Sequence, residues 1–158
     1  MEKRINEMLK MQKALNDSVK KKFNLESVEV DKIRLALIDE IGELTHELKG
    51  DWCWWKENKN PVNKEKVLEE LVDVWHFALS LYIEYCGVDN YIKKDDLVVA
   101  SLNIHLPSLL SLLSINMDND ILEHMLALTY KLGFTFEDVY NGYIKKNKVN
   151  YERLKNGY

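Results

Sequence analysis

The sequence predicts an all-α fold, a helical bundle of about five to six helices in one domain that spans residues 1–158. Three observations support this prediction. The 158 residues include only 6 Gly and 2 Pro, so few positions interrupt a helix. Apolar residues recur every three or four positions along most of the chain, as they do on the buried face of a helix. No segment alternates apolar and polar residues over the length of a convincing strand.

The first two helices are predicted from this periodicity. The second begins near Asp31, a favourable N-cap residue, and runs to Lys49, where Gly50 ends it. The first is about four turns long or more. Its repeating positions are Ile5, Met8, Leu9, Gln12, Leu15, Asn16 and Val19.

The middle of the chain is predicted to contain two further helical regions. A tryptophan-rich connection, Asp51–Pro61, comes first. The third helix, Asn63–Cys86, begins with a favourable N-cap residue and ends at Gly87. The fourth region spans about Asp95–Ser114, and Pro107 breaks or kinks it.

Cap residues define the last two predicted helices. The fifth covers about Asp118–Leu132 and is closed by Gly133. The sixth begins at Thr135, with Asp138 in the acidic position of a capping box, and runs to about Lys155. The sequence therefore alternates long helices with short connections.

Composition excludes several classes of protein. A net charge of −4 argues against a nonspecific nucleic-acid coat, and no apolar run approaches the roughly 20 residues of a membrane helix. Cys53 and Cys86 are neither at metal-site spacing nor numerous enough for a disulfide framework, so free thiols are expected. Charges within Met1–Met11 exclude the apolar core of a signal peptide. We expect a soluble cytoplasmic protein without nucleic-acid or membrane partners.

Two pairs of carboxylates are the first candidate site. Glu40 and Glu43 lie three residues apart in the second helix, and Glu70 and Asp73 have the same spacing in the third. This spacing places each pair on one helix face. Four carboxylates from two facing helices would suit Mg²⁺, which prefers hard oxygen ligands. With 26 acidic residues, however, chance alone gives about four such pairs, so any single pair is better explained as a solvated helix face.

The surroundings of these carboxylates favour a site. Glu40 and Asp73 are embedded in apolar runs, where an ionised carboxylate is costly unless it is paired or bound to metal. Gly42, in the middle of the second helix, costs about 1 kcal/mol relative to alanine and is typical of close approach by a neighbour. The residues alone leave a metal site and a solvated helix face both open.

An ordered set of motifs carries a family resemblance. The segments Glu40–Glu43, Trp52–Lys56 and Glu70–Asp73 follow one another, and Trp75–Phe77 comes next. Together they resemble the dimeric dUTPase family of the all-α NTP pyrophosphatase superfamily, whose hallmark is ExxE followed by ExxD. The resemblance extends from about Gln12 to the end of the chain.

The resemblance implies a metal centre and a reaction. By this likeness the ligands of two or more Mg²⁺ ions are Glu40, Glu43, Glu70 and Asp73, and Glu43 is the general base. The implied reaction is hydrolysis of dUTP to dUMP and pyrophosphate by a homodimer. Residues 88–132 match no motif, so their helices are assigned to the core and the interface.

The C-terminal helix supplies the candidate phosphate contacts. Lys146, Asn150 and Arg153 form one stripe, and guanidinium and ammonium groups bind phosphate well. Charge alone instead favours a basic last turn that complements the helix dipole. The family resemblance reverses that preference, because its members end in a similar Lys-Asn, Asn, Arg, Gly-Tyr pattern.

Amide and aromatic side chains are the candidate nucleoside contacts. Gln12 and Asn16 lie on one face of the first helix, and the resemblance places such a pair against uracil. Amides both donate and accept, so a flip would equally suit cytosine. Trp52 and Trp55 are candidates for the nucleoside wall, with core or interface roles as the alternative. His76 is predicted to be a buried helix-face residue, because Mg²⁺ sites rarely use imidazole.

Two other functions remain open from the sequence. The first is a related pyrophosphatase that acts on dCTP or on a modified nucleotide. The second is a non-catalytic helical interaction protein, whose carboxylates would only solvate its helices. Tyr143, one turn before Lys146, is expected either to line the site or to pack behind it.

Overall fold

A computed structural model describes residues 1–89, 91–115 and 119–157 of the chain. In these ranges the regular secondary structure is entirely helical, with no strand, and there are more helices than the five to six predicted. The extra helices arise because one predicted region is split in two and one connection contains a short helix. The helices are α1 (Glu2–Phe23), α2 (Val30–Glu47), α3 (Lys49–Trp52), α4 (Lys64–Cys86), α5 (Asp95–Leu102), α6 (Leu106–Ile115), α7 (Ile121–Lys131) and α8 (Phe136–Asn156).

Helix α4 forms the centre of the fold. It packs against α1, α2, α7 and α8, and α7 in turn packs against α5 and α6. The Trp75 side chain of α4 is fully buried, and its indole Nε1 donates a hydrogen bond to Thr129 Oγ1 of α7 at 3.0 Å. A buried indole N–H needs such a partner, because an unpaired donor would cost about 1–3 kcal/mol. The site helices are therefore held by one continuous core.

Several predicted helix ends are confirmed. The Asn63 side chain accepts hydrogen bonds from the backbone N–H groups of Glu65 and Lys66, and Gly87 follows α4 with φ 77°. Thr135 and Asp138 form the reciprocal bonds of a capping box at the start of α8.

Other predicted boundaries are wrong. Asp31 is not the N-cap of α2, because the helix begins at Val30 after Glu29. Gly50 does not end α2 either; α2 stops at Glu47, and Gly50 lies inside α3. A Cβ on Gly50 would lie 2.5 Å from the carbonyl oxygen of Asn60, so this glycine allows the following connection to pass close to α3.

The fourth and fifth predicted helices also differ in detail. The predicted break near Pro107 is confirmed, but the proline lies in the first turn of α6, where its missing N–H costs nothing. Asp118, the predicted start of the fifth helix, lies outside the described residues, and α7 begins at Ile121. Gly133 follows α7 with φ 83°, as expected for a helix stop.

Close approach between helices occurs at a different glycine from the one predicted. A Cβ added to Gly42 would meet no atom within 4 Å, so the expectation of a near neighbour there is wrong within this chain. A Cβ on Gly142 would instead lie 2.7 Å from Val72 Cγ2. Gly142 thus lets α8 approach α4 next to Asp73.

Spanning the hydrocarbon region takes about 20 predominantly apolar residues. Within the ranges given above, no helix has the length and apolar composition needed to cross a membrane.

Candidate functional site

Four helices enclose a cavity of about 450 Å³. Helices α1, α2, α4 and α8 each contribute side chains to its wall. One end of the cavity is acidic and the other is formed by amide, hydroxyl and imidazole groups. The polar residues of the wall that bear on function are Gln12, Asn16, Glu40, Asp73, His76, Ser80, Lys146, Asn150 and Arg153.

Three of the four predicted metal ligands come together at the acidic end, where Glu40 lines the cavity and Glu43 and Glu70 line a neighbouring surface pocket. Glu40 and Glu43 on α2 and Glu70 on α4 each offer a carboxylate oxygen, and these atoms all lie within 4.8 Å of one another. Glu40 and Glu70 are half-buried and Glu43 is exposed. The spacing of three residues on each helix and the close packing of α2 on α4 produce this cluster.

The fourth predicted ligand, Asp73, is paired with a cation instead. Its Oδ2 accepts a hydrogen bond from Lys146 Nζ at 2.5 Å, and both side chains are largely buried. Burial raises the pKa of Asp73, and the bond and charge of Lys146 oppose that rise. Asp73 thus lies next to the cluster but is held towards α8.

Burial and the neighbouring negative charges raise the pKa values of two glutamates at this end. Burial raises the pKa of Glu40 to about 7, and the charges of Asp73, Glu43 and Glu70 add to the rise. The pKa of Glu70 is also raised, first by burial and then by the charges of Asp73 and Glu43. A divalent cation among these groups would favour their ionised forms and reverse the shifts.

The donor set therefore fits a hard divalent cation. All the clustered ligand atoms are carboxylate oxygens, which suit Mg²⁺ better than softer metals.

The opposite end of the cavity is an ordered hydrogen-bond network around Gln12. The buried Gln12 amide donates from Nε2 to Asn16 Oδ1 at 2.9 Å and to Ser80 Oγ at 3.0 Å. Its Oε1 accepts from the Tyr143 hydroxyl at 3.0 Å and lies 2.7 Å from His76 Nδ1. All four hydrogen-bonding positions of this amide are thus occupied by protein.

His76 is buried on the face of α4, as the sequence predicts. Its ring stacks on Tyr143 with centroids 4.3 Å apart. Burial lowers the pKa of His76 to about 3, so the imidazole is neutral near pH 7. Among the described residues, none is a hydrogen-bond partner of His76 Nε2, although the residue lines the cavity.

The other predicted contacts divide into two groups. Lys146, Asn150 and Arg153 all line the cavity from α8. Trp52 and Trp55 are absent from its wall. They form an exposed aromatic cluster with Trp54, in which Trp52 donates to the carbonyl oxygen of Thr45. None of the three tryptophans belongs to the core.

Sequence reasoning missed Ser80 and left the role of Tyr143 open between lining the site and packing. Ser80 lies one turn after His76 and is a polar residue within an apolar stretch, which is the pattern that would have indicated it. Tyr143 is fully buried and packs behind the site instead of lining it. Its bond to Gln12 spans 131 residues of sequence, so no local pattern predicts it.

Comparison with known proteins gives one finding. A family model described as dUTPase matches residues 4–158, which is nearly the whole chain. A search of curated proteins gives no match.

Proposed function

Because the chain belongs to the dUTPase family of nucleoside triphosphate pyrophosphatases, we propose that it hydrolyses dUTP to dUMP and pyrophosphate in a Mg²⁺-dependent reaction. The observation that carries this proposal is the polarity of the cavity. Its acidic end can hold metal ions near a triphosphate, and its amide end can recognise a pyrimidine. Membership of an enzyme family also removes the alternative of a non-catalytic interaction protein.

The carboxylates have distinct roles in the proposed reaction. Glu40, Glu43, Glu70 and Asp73 would hold two or more Mg²⁺ ions, which neutralise the triphosphate and stabilise charge on the leaving group. Glu43 is the exposed member of the cluster and acts as general base towards the attacking water.

The cations of α8 position the phosphates. Lys146 Nζ donates a hydrogen bond to Asp73 Oδ2. Metal binding by the Asp73 carboxylate would leave the Lys146 ammonium able to bind a phosphate oxygen. Arg153 can bind phosphate oxygens bidentately, and Asn150 between them donates from its amide. These roles use side chains that already line one cavity.

We also propose that the protein is a homodimer. Exposed apolar side chains on α2 and in the connection after α3 support this, since Leu35 is 66% exposed and Trp54 is 84% exposed within the single chain. Large exposed apolar surfaces are typical of interfaces. A sedimentation experiment that gives the mass of one chain would contradict this proposal.

Pyrophosphate release from dUTP, dCTP, dTTP and UTP, with Mg²⁺ and with EDTA, tests the function. We expect rapid Mg²⁺-dependent turnover of dUTP and much slower turnover of the others. Turnover of dCTP instead would keep the metal chemistry and overturn the assignment of the base. An absence of turnover with every nucleotide would contradict the proposed reaction.

A further inference from the structure

A basic pocket of about 510 Å³ lies where α3 and the start of α4 meet the connection between them. Its wall contains a single carboxylate, that of Glu47, and the side chains of four lysines, Lys49, Lys56, Lys59 and Lys66. The pocket is therefore cationic, although the whole chain carries a net charge of −4.

The charges of these four lysines are not neutralised by neighbouring side chains. In the part of the chain that the structure describes, none of the four forms an ion pair with a carboxylate. Lys13, Lys32 and Lys94, which lie elsewhere, each pair with an aspartate or glutamate. Lys49 Nζ lies 2.9 Å from His46 Nδ1, which compensates none of its charge. The pocket thus presents uncompensated positive charge to a ligand.

The basic pocket continues the helix faces that carry the metal-binding carboxylates. On α4, Lys66 precedes Glu70 by four residues, which places the two side chains on one face, a turn apart. On α2, Glu47 follows Glu43 by four residues, and Lys49 begins α3 shortly after it. Both helices therefore lead from the carboxylate cluster to the same pocket.

Shared wall residues connect the cavity, the carboxylate cluster and the basic pocket in series. Glu40 lines the cavity and belongs to the cluster, whereas Glu43 and Glu70 belong to the cluster and line the surface pocket beside it. His46 and Glu47 line both that surface pocket and the basic pocket. No residue that lines the cavity also lines the basic pocket. The cluster accordingly lies between the other two sites.

The connection that closes the basic pocket is held against α3 at Gly50. A Cβ on Gly50 would lie 2.5 Å from the carbonyl oxygen of Asn60, and this close approach brings Lys59 to the same wall as Lys49. Asn63 also lines the pocket, but its side chain accepts hydrogen bonds from the first backbone N–H groups of α4. The lysines, and not the end of the helix, therefore supply the positive charge.

We propose that the basic pocket is an anion site for the pyrophosphate product, which moves to it from the carboxylate cluster and leaves the protein there. This inference rests on the proposed function and deepens it. The nucleoside part of dUTP is bound in the cavity, so the terminal phosphates are the part that extends towards the cluster and beyond it. Pyrophosphate carries several negative charges, and a cationic pocket about one helical turn from the cluster attracts it.

Two features of the pocket favour a small anion over a nucleic-acid strand. The exposed tryptophans, on which unpaired bases could stack, are absent from the pocket wall. The net charge of −4 also repels a long polyanion that extends outside the pocket.

Calorimetric titration with sodium pyrophosphate in EDTA tests the site without metal or turnover. In Lys49→Gln/Lys66→Gln, two of the four lysine charges are removed, and the affinity for pyrophosphate should fall about tenfold. Lys3→Gln/Lys10→Gln is the matched control, because it removes the same charge from exposed positions of α1 outside the cavity and both pockets. Its affinity should equal that of the unchanged protein, and circular dichroism checks the fold of both variants.

Product inhibition of dUTP turnover, measured at a fixed concentration of free Mg²⁺, gives a second readout. In Lys49→Gln/Lys66→Gln, the inhibition constant of pyrophosphate should rise about tenfold. The inhibition constant of dUMP should not change, because dUMP occupies the cavity. A rise of both constants by the same factor would assign the effect to the general field of the protein and contradict the site.

The remaining outcomes separate this inference from the proposed function. Unaltered pyrophosphate affinity in the folded double variant would overturn the inference, and so would a loss found only in Lys146→Gln, which would place the anion at α8. Binding of a single-stranded oligonucleotide but not of pyrophosphate would also overturn it. Pyrophosphate binding that depends on Lys49 and Lys66, without turnover of dUTP by the unchanged protein, would leave the anion site standing and remove the proposed reaction.

Discussion

The two ends of the cavity are prepared for their ligands in opposite ways. At the amide end, the Gln12 side chain is buried and all its hydrogen-bonding positions are filled by protein. At the acidic end, Glu40, Glu43 and Glu70 are brought within 4.8 Å of one another, and burial and mutual repulsion raise the pKa of Glu40 to about 7. Protein groups alone satisfy the first end, whereas a divalent cation would stabilise the second.

This difference follows from the chemistry of the groups. Amides, hydroxyls and neutral imidazoles can satisfy one another, so a network of them fixes a unique geometry before substrate arrives. Carboxylates can only accept hydrogen bonds when ionised, so a cluster of them needs protons or cations. The amide end should therefore determine selectivity, while the acidic end should determine rate and metal dependence.

Glu43→Gln should produce the largest effect, at the acidic end. Turnover of dUTP should fall by about 10²-fold or more, because the amide cannot take a proton from the attacking water. The fold should be retained, since Glu43 is exposed and lies among like charges. Steady-state kinetics at saturating Mg²⁺, with circular dichroism as a check of folding, measure this change.

The matched control for this variant is Glu69→Gln. Glu69 neighbours Glu70 on α4 but is exposed and lies outside the carboxylate cluster. Turnover of dUTP by Glu69→Gln should equal that of the unchanged protein. Near-normal turnover of Glu43→Gln would remove Glu43 from the role of base and would assign the proton transfer to another member of the cluster.

Substitution of alanine for Gly142 and for Gly42 compares the packing near the two ends of the cavity. Gly142 precedes Tyr143 of the amide network, and a Cβ there would lie 2.7 Å from Val72 Cγ2. Gly142→Ala should reduce the free energy of unfolding by about 1–2 kcal/mol, because overpacking outweighs the gain in helix propensity. Gly42 precedes Glu43, and a Cβ there meets nothing within 4 Å, so Gly42→Ala should add about 0.5–1 kcal/mol.

Urea unfolding with and without a second substitution checks this explanation. Val72→Ala removes the methyl group that a Cβ on Gly142 would meet, so the double variant should recover part of the loss. An additive double variant would show that another contact is responsible. A loss of stability in Gly42→Ala would indicate that a second chain approaches that face of α2.

Local patterns predict most of the helices and the order of the motifs. Asn63, Gly87 and the Thr135 capping box mark helix ends because each acts through bonds within a few residues. Gly50 was wrongly predicted to end a helix. A glycine is needed there because the chain passes close to it at Asn60, ten residues later. Several structural requirements can each explain a glycine, and the sequence alone does not distinguish them.

The site, like the fold, has some features that local patterns predict and others that depend on contacts distant in sequence. The carboxylate pairs are predictable because i,i+3 spacing places them on one helix face, and α8 shows its Lys146, Asn150 and Arg153 stripe by the same periodicity. The network around Gln12 is not predictable, since it joins three helices distant in sequence. Trp52 and Trp55 were candidates for the nucleoside wall because tryptophan suits such contacts. Their exposed positions depend on how the connection after α3 folds, which the sequence does not indicate.

The pH dependence of stability should differ in sign between the two ends. The pKa of Glu40 is raised in the folded protein to about 7, so its contribution to stability is fully present below about pH 4.5 and is lost as pH rises towards 7. The pKa of His76 is lowered to about 3, so its contribution is present above about pH 6.5 and is lost as pH falls.

Comparing Glu40→Gln with the unchanged protein isolates the acidic end, because His76 is common to both. In EDTA, the stability of the variant relative to the unchanged protein should increase by about 1 kcal/mol between pH 4.5 and 7.5, after allowance for solvent screening of a half-exposed group. Mg²⁺ should abolish or reverse that gain, since the ion stabilises the ionised carboxylate. A difference that is independent of pH in EDTA would show that the carboxylate cluster is relaxed without metal, and the contrast between the two ends would then disappear.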